Sequence, residues 1–164
     1  MSTGGSADRG MGEIEIRERL KGKVLIAGVG NTLRGDDGAG VELIWRLQGK
    51  IKAELLECGE APENYLGTII SMKPDTIVIV DAVELGQPPG TVSIIDIEDV
   101  EDLGIPSTHS ISLKVLMNYL KTGTGADIFL LGIQPASIEL EERISKEVSE
   151  ALDKLEDILR KIFC

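Results

Sequence analysis

The residues of this chain best suited to chemistry are Asp37, Asp81 and His109. His109 is the single histidine of the sequence and lies in Ile105-Pro106-Ser107-Thr108-His109-Ser110, a turn ahead of a helical segment. Asp81 follows Thr76-Ile77-Val78-Ile79-Val80, the most strongly β-branched run of the chain, so a carboxylate is expected where a dry strand ends. Asp36 and Asp37 sit in the turn after an earlier apolar run. Each has an ordinary role: an acid in such a turn caps the next helix or the turn itself, and a lone histidine is commonly a surface or core residue. Of the adjacent pair, one acid can cap while the other points into a cleft. Two carboxylates and one imidazole on one edge make a hard-to-borderline metal site. Such a donor set suits Zn, Ni, Fe or Mn and leaves positions open for water or substrate.

That common edge depends on the elements around it. Val24-Leu25-Ile26-Ala27 is a short continuous apolar run, as expected of a strand covered on both faces, and the turn from Gly28 to Gly35 follows it. Further strands are predicted over Ala53–Cys58, Thr76–Val80, Thr91–Asp96 and Asp127–Gly132. Helices are predicted over Asp37–Gln48, Asn64–Met72, Ser110–Lys121 and Ile138–Phe163. The last carries the apolar stripe Ile144, Val148, Leu152, Leu155, Leu159 and Ile162. Strands alternating with helices imply βαβ units, a mostly parallel sheet and helices on both faces. Ligands of such sheets bind beyond the carboxyl ends of the strands, which is where the three residues are expected. Residues 1–22 are read as a flexible N-terminal tail, since Met1–Gly12 is rich in Gly and Ser without a hydrophobic period, and 23–164 as a single α/β domain.

Composition narrows the partners. The chain has 164 residues with 42% hydrophobic and 27% charged, enough apolar matter for a core. A formal net charge of −11 repels a phosphate backbone and an anionic membrane surface, and no basic cluster offsets it. Two cysteines, Cys58 and Cys164, make no disulfide framework. Met1–Lys23 lacks the apolar core of a signal peptide and no run suits a membrane span, so a cytoplasmic, reduced protein is expected.

Other chemistries fit less well. The turn after the first strand begins Gly28-x-Gly30, but a dinucleotide fingerprint needs a third glycine where Leu33 stands. No G-x-S-x-G elbow exists, and Ser107 lies beside His109 in sequence, although Ser110 and Ser112 are near. Cys58 with His109 would make a thiol protease, yet a cysteine in a buried strand is ordinarily inert.

The segment Gly28-Val29-Gly30-Asn31-Thr32-Leu33-Arg34-Gly35-Asp36-Asp37-Gly38-Ala39-Gly40 resembles the opening motif of the hydrogenase-maturation endopeptidases. In the same order as in that family follow Ala61-Pro62-Glu63-Asn64, Ile79-Val80-Asp81-Ala82, Pro89-Gly90, Ser107-Thr108-His109 and Leu131-Gly132-Ile133-Gln134-Pro135. The likeness runs from Val24 to Phe163, with Ala61–Asn64 and Gly132–Pro135 pointing to the subgroup that processes hydrogenase 3-type large subunits. It implies a three-layer fold, a twisted, mostly parallel five-stranded sheet with helices on both faces. It implies metal ligands at Asp37, Asp81 and His109, which would also be the catalytic residues of an aspartic-type endopeptidase. Glu57 stands where the family often has an aspartate. The activity implied is nickel-dependent removal of a C-terminal extension from the large-subunit precursor of a nickel–iron hydrogenase, the nickel being carried by the precursor. A non-catalytic nickel or precursor chaperone would need the same ligands. A hydrolase of similar topology, such as peptidyl-tRNA hydrolase, has a similar Gly-x-Gly-Asn turn, but the charge of −11 opposes a tRNA substrate.

Overall fold

The computed structural model describes residues 4–103, 112–141 and 143–164. Five strands, β1 (Val24–Val29), β2 (Glu54–Gly59), β3 (Thr76–Ala82), β4 (Val92–Asp96) and β5 (Asp127–Ile133), form one sheet in the order β2-β1-β3-β5-β4. All neighbouring pairs are parallel except β4 with β5. The β-branched run from Thr76 becomes the central strand, and all seven of its residues are buried. Asp81 is the penultimate residue of that strand and pairs with Gly132 of β5.

The alternation of each strand splits the core in two. Leu25, Ala27, Ile77, Ile79, Ile128 and Leu130 face one side, where Ile69 of α3 (Leu66–Met72) and Leu116, Met117 and Leu120 of α4 (Leu113–Thr124) cover them. Val24, Ile26, Val78, Val80, Phe129 and Leu131 face the other, beneath α2 (Ala39–Leu47) and α5 (Lys146–Ile162). This is the expected three-layer α/β sandwich with a twisted, mostly parallel sheet.

Two elements differ from their expectation. A helix, α1 (Gly4–Arg19), runs where the composition of residues 1–22 suggests a flexible tail. Its end is held by tertiary contacts that no local pattern announces. Ile16 is buried in the second core, while the Arg19 guanidinium bonds Asp127 at 3.0 and 3.1 Å, meets Asp96 at 2.8 Å and lies 4.5 Å over the Phe129 ring. The last helix begins at Lys146 rather than Ile138, with Ser145 as its N-cap accepting from Val148 N at 3.3 Å. Residues 135–141 take another path because their backbone is claimed elsewhere: Ser137 O accepts from Asp36 N at 2.9 Å and Glu141 O from Gly35 N at 2.6 Å.

Topology fixes where a ligand can enter. From β1 the chain passes to β2 on one side, then returns to lay β3 on the other. The crevice between the carboxyl ends of β1 and β3 is therefore a topological switch point, the usual binding place in open α/β sheets.

Candidate active site

Asp37 follows β1 and Asp81 stands one residue before the end of β3, so the two acids flank that crevice. The chain leaves β1 through Gly30 and turns back through a 3₁₀ turn, Gly35–Gly38, into α2. Gly30 has φ +136°, a conformation L side chains rarely adopt, and it lies between the acids. A Cβ there would overlap the carbonyl oxygen of Asp37 and sit 3.5 Å from Asp81 Oδ1. The two acids are thus brought to one point although 44 positions separate them in the sequence. Gly40 allows α2 to press on the same edge, since a Cβ there would overlap Val80 O and lie 2.7 Å from Val29 O.

Both carboxylates are buried, Asp37 at 9% exposure and Asp81 at 3%. Asp37 Oδ2 accepts from Asn31 N at 2.9 Å, while Asn31 Oδ1 accepts from Leu33 N at 2.8 Å and shapes the turn. Asp81 Oδ1 accepts from the next backbone amide, Ala82 N, at 2.8 Å. Each acid thereby has one buried oxygen oriented by a backbone donor.

Asp36 has a separate task. Its carboxylate is 1% exposed and accepts from Ala136 N at 2.7 Å, Ser137 N at 3.4 Å, Ser145 N at 2.7 Å and Ser145 Oγ at 2.8 Å. The adjacent pair divides as its sequence allows, with Asp37 in the crevice and Asp36 fastened to the distant loop.

His109 lies outside the described residues, as do Ser107 and Ser110. Among the described residues no group of three His, Cys, Asp or Glu side chains is arranged to hold a metal ion. Glu57 does not join the acids: it is exposed and accepts from Trp45 Nε1 at 2.6 Å. Gln134, which the sequence marks only as part of the motif Leu131–Pro135, has a structural role. It is 4% exposed; its Oε1 accepts from Leu85 N at 2.6 Å and its Nε2 donates to Glu84 Oε2 at 3.1 Å, so it holds the β3–β4 connection. The signal is a lone amide side chain directly after the apolar run Ile128–Ile133, where burial demands hydrogen bonds.

Cys58 is 5% exposed and its thiol is pushed up to about 12 by burial and by the charge of Glu57. It is a thiol rather than a nucleophilic thiolate at neutral pH. Iodoacetamide should leave native protein fully active, and Cys58→Ala should keep wild-type cleavage; loss of activity on alkylation of Cys58 would reinstate a thiol mechanism. The same shift fixes a sign for stability. Between pH 9 and about 12 the unfolded chain releases the Cys58 proton while the folded chain keeps it, so Tm should fall as pH rises through that window. Cys58→Ala should flatten this decline; an unchanged slope would show that the shift is absent.

Comparison with known proteins supplies the class, one that cuts peptide bonds. The chain is similar over 86% of its length to the E. coli hydrogenase maturating endopeptidase HybD, with 92% of that chain covered, a TM-score of 0.67 and 28% identity. A family model, HycI: hydrogenase maturation protease, matches residues 41–162. The chain belongs to the hydrogenase maturation protease family and is a protease. It is 35% identical to the hydrogenase 3 maturation protease of Escherichia coli over 127 residues, covering 76% of this chain and 81% of that one. The crystal structure of the NiFe hydrogenase maturation protease HycI from Thermococcus kodakarensis superposes with a TM-score of 0.81 at 36% identity, over 90% of this chain and 97% of that one.

Proposed function

We propose that this protease removes the C-terminal extension from the large-subunit precursor of a NiFe hydrogenase, and that it acts only on precursor carrying nickel. The observation that carries the reading is the convergence of Asp37 and Asp81 on Gly30 at the switch point. Two oriented, buried carboxylates offer hard oxygen donors, and His109 would add a borderline nitrogen. That donor set accepts a divalent ion of the nickel type but is too small to fill its coordination sphere. The remaining ligands would come from the precursor, so nickel enters as part of the substrate. Asp37, Asp81 and His109 would grip the precursor's metal and hold the scissile bond against the crevice. Asp37 or Asp81 would serve as the base toward a water. The relatives named for hydrogenase maturation support this substrate class. The cytoplasm is proposed as the place of action; both cysteines are free, as thiols remain in a reducing compartment. No helix of the described residues is long and apolar enough to cross a membrane.

The test is incubation of the protein with nickel-loaded precursor, nickel-free precursor and casein, read by intact mass. Only the nickel-loaded precursor should be shortened. Comparable cutting of the nickel-free precursor or of casein would remove the metal as the gate.

A further inference from the structure

We propose that Asp36, the acid beside Asp37, is a positioning residue that holds the Asp37 turn in its working geometry by clamping it to the loop ahead of α5. The inference rests on the reading of Asp37 as a residue that touches the substrate's metal or water.

The argument begins with what the Asp36 carboxylate binds. Three backbone amides and one hydroxyl donate to it, from Ala136, Ser137 and Ser145. These donors lie 100 to 109 positions away along the chain, so the contact is wholly tertiary. Around it the backbone adds two further ties, Asp36 N to Ser137 O at 2.9 Å and Gly35 N to Glu141 O at 2.6 Å. Arg34 and Glu141 form a parallel bridge beside them. The segment 34–36 is thus sewn to 136–145 on one side, while Asp37 begins the next turn on the other.

Local backbone bonds close the 3₁₀ turn, among them Asp37 N to Arg34 O at 3.1 Å, but they do not fix it against the rest of the fold. No side chain caps it, and Gly35 and Gly38 bound its two acids. Gly35 has φ +55° and sits against Ser137 O, where a Cβ would come within 2.7 Å. Two glycines flanking an uncapped turn make a hinge unless something outside fixes it. Asp36 supplies that constraint. Its backbone N and its side chain grip the same loop, so neither φ nor ψ on the Asp37 side can drift without breaking bonds at a site 1% exposed.

Ser145 extends the clamp. Its hydroxyl donates to Asp36 Oδ2 at 2.8 Å and accepts from Val148 N at 3.3 Å as the N-cap of α5. The turn is thereby tied to a 17-residue helix packed against the sheet through Val148, Leu152, Leu155 and Leu159. A rigid element of the core sets where Asp37 points.

The experiment compares Asp36→Asn and Ser145→Gly with wild type on nickel-loaded precursor, with Tm measured on the same samples. Asp36→Asn keeps the volume but turns an NH2 toward amide donors, whichever way it lies. Its kcat should fall by about tenfold or more, because an ångström-scale misplacement of a reacting group has effects of that size, while KM stays within about twofold. Ser145→Gly removes the hydroxyl's bond to Asp36 and its cap bond from Val148 N, the latter at little loss of capping, and should give a smaller kcat loss with the same split. Ile69→Ala, in the core on the other face of the sheet, serves as a control of comparable Tm loss and should keep kcat. Hydrogen exchange of the Gly35 amide should accelerate in Asp36→Asn. Wild-type kcat in Asp36→Asn would overturn the inference, as would a kcat loss no larger than that of Ile69→Ala at equal Tm or an unchanged Gly35 exchange rate. If Asp36→Asn fails to fold, Ser145→Gly with wild-type kcat overturns it. Failure of the nickel-gated reading shows separately, in the wild-type arm alone, as cutting of nickel-free precursor.

Discussion

Asp81→Ala should cut precursor at about a thousandth of the wild-type kcat/KM or less, a loss of the size seen when a positioned acid–base or charge-stabilising group is removed. Asp37→Ala and His109→Ala should fall to a similar floor, and any two together should cost little more than one, because residues that act as a unit are not additive. The reason lies in the geometry of the carboxylates. Each is buried, each has an oxygen oriented by a backbone amide, and Gly30 lies against both the Asp37 backbone and the Asp81 carboxylate. No second histidine exists to replace His109. Initial rates on nickel-loaded precursor, with Tm as the check on folding, give the answer. Any of the three variants retaining cleavage within about tenfold of wild type would exclude that residue from the machinery.

Gly30→Ala should disable the protein by a different route. A methyl group at this position overlaps Asp37 O and approaches Asp81 Oδ1 to 3.5 Å, and φ +136° disfavours any side chain. Backbone strain and overpacking each contribute about 1–3 kcal/mol, so a loss on the order of 3 kcal/mol is expected. That is a large share of the stability of a chain of this size. The surviving folded fraction should also cleave poorly, because relief of the overlap shifts the backbone at Gly30 or Asp37, beside both acids. Denaturant unfolding and initial rates measure the two effects. A Gly30→Ala protein with a wild-type midpoint and full activity would mean that this close approach does not exist.

Much of this was legible from local pattern. The β-branched run ending at Asp81 announces a central strand, and burial of all seven residues of β3 agrees with it. The apolar run from Val24 announces β1, and from two parallel strand ends follows the meeting of Asp37 and Asp81. What escaped was non-local. The last helix is expected from Ile138, yet bonds from residues 35 and 36 to Ala136, Ser137 and Glu141 hold its first residues out of helix. The helical part of residues 1–22 was hidden because Arg19 finds its partners Asp96 and Asp127 only once β4 and β5 lie side by side. The division of labour between Asp36 and Asp37 was open for the same reason: which of two adjacent acids faces inward depends on Ser145, 109 residues beyond the first of them. Glu57 matched an expected acid by position, but its exposed place beside Trp45 separates it from the other two.

The span of the Asp36–Ser145 contact bears on when the enzyme comes into being. During synthesis from the N-terminus, β1, Asp37 and Asp81 all emerge before Ser145 exists, and the acid turn then lacks its tertiary anchor. Contacts of such separation close late, after the entropy of the intervening loop has been overcome. A nascent chain that already holds both carboxylates therefore still lacks the bonds that tie Asp36 to Ser145. The acid turn gains its anchor only together with the last helix.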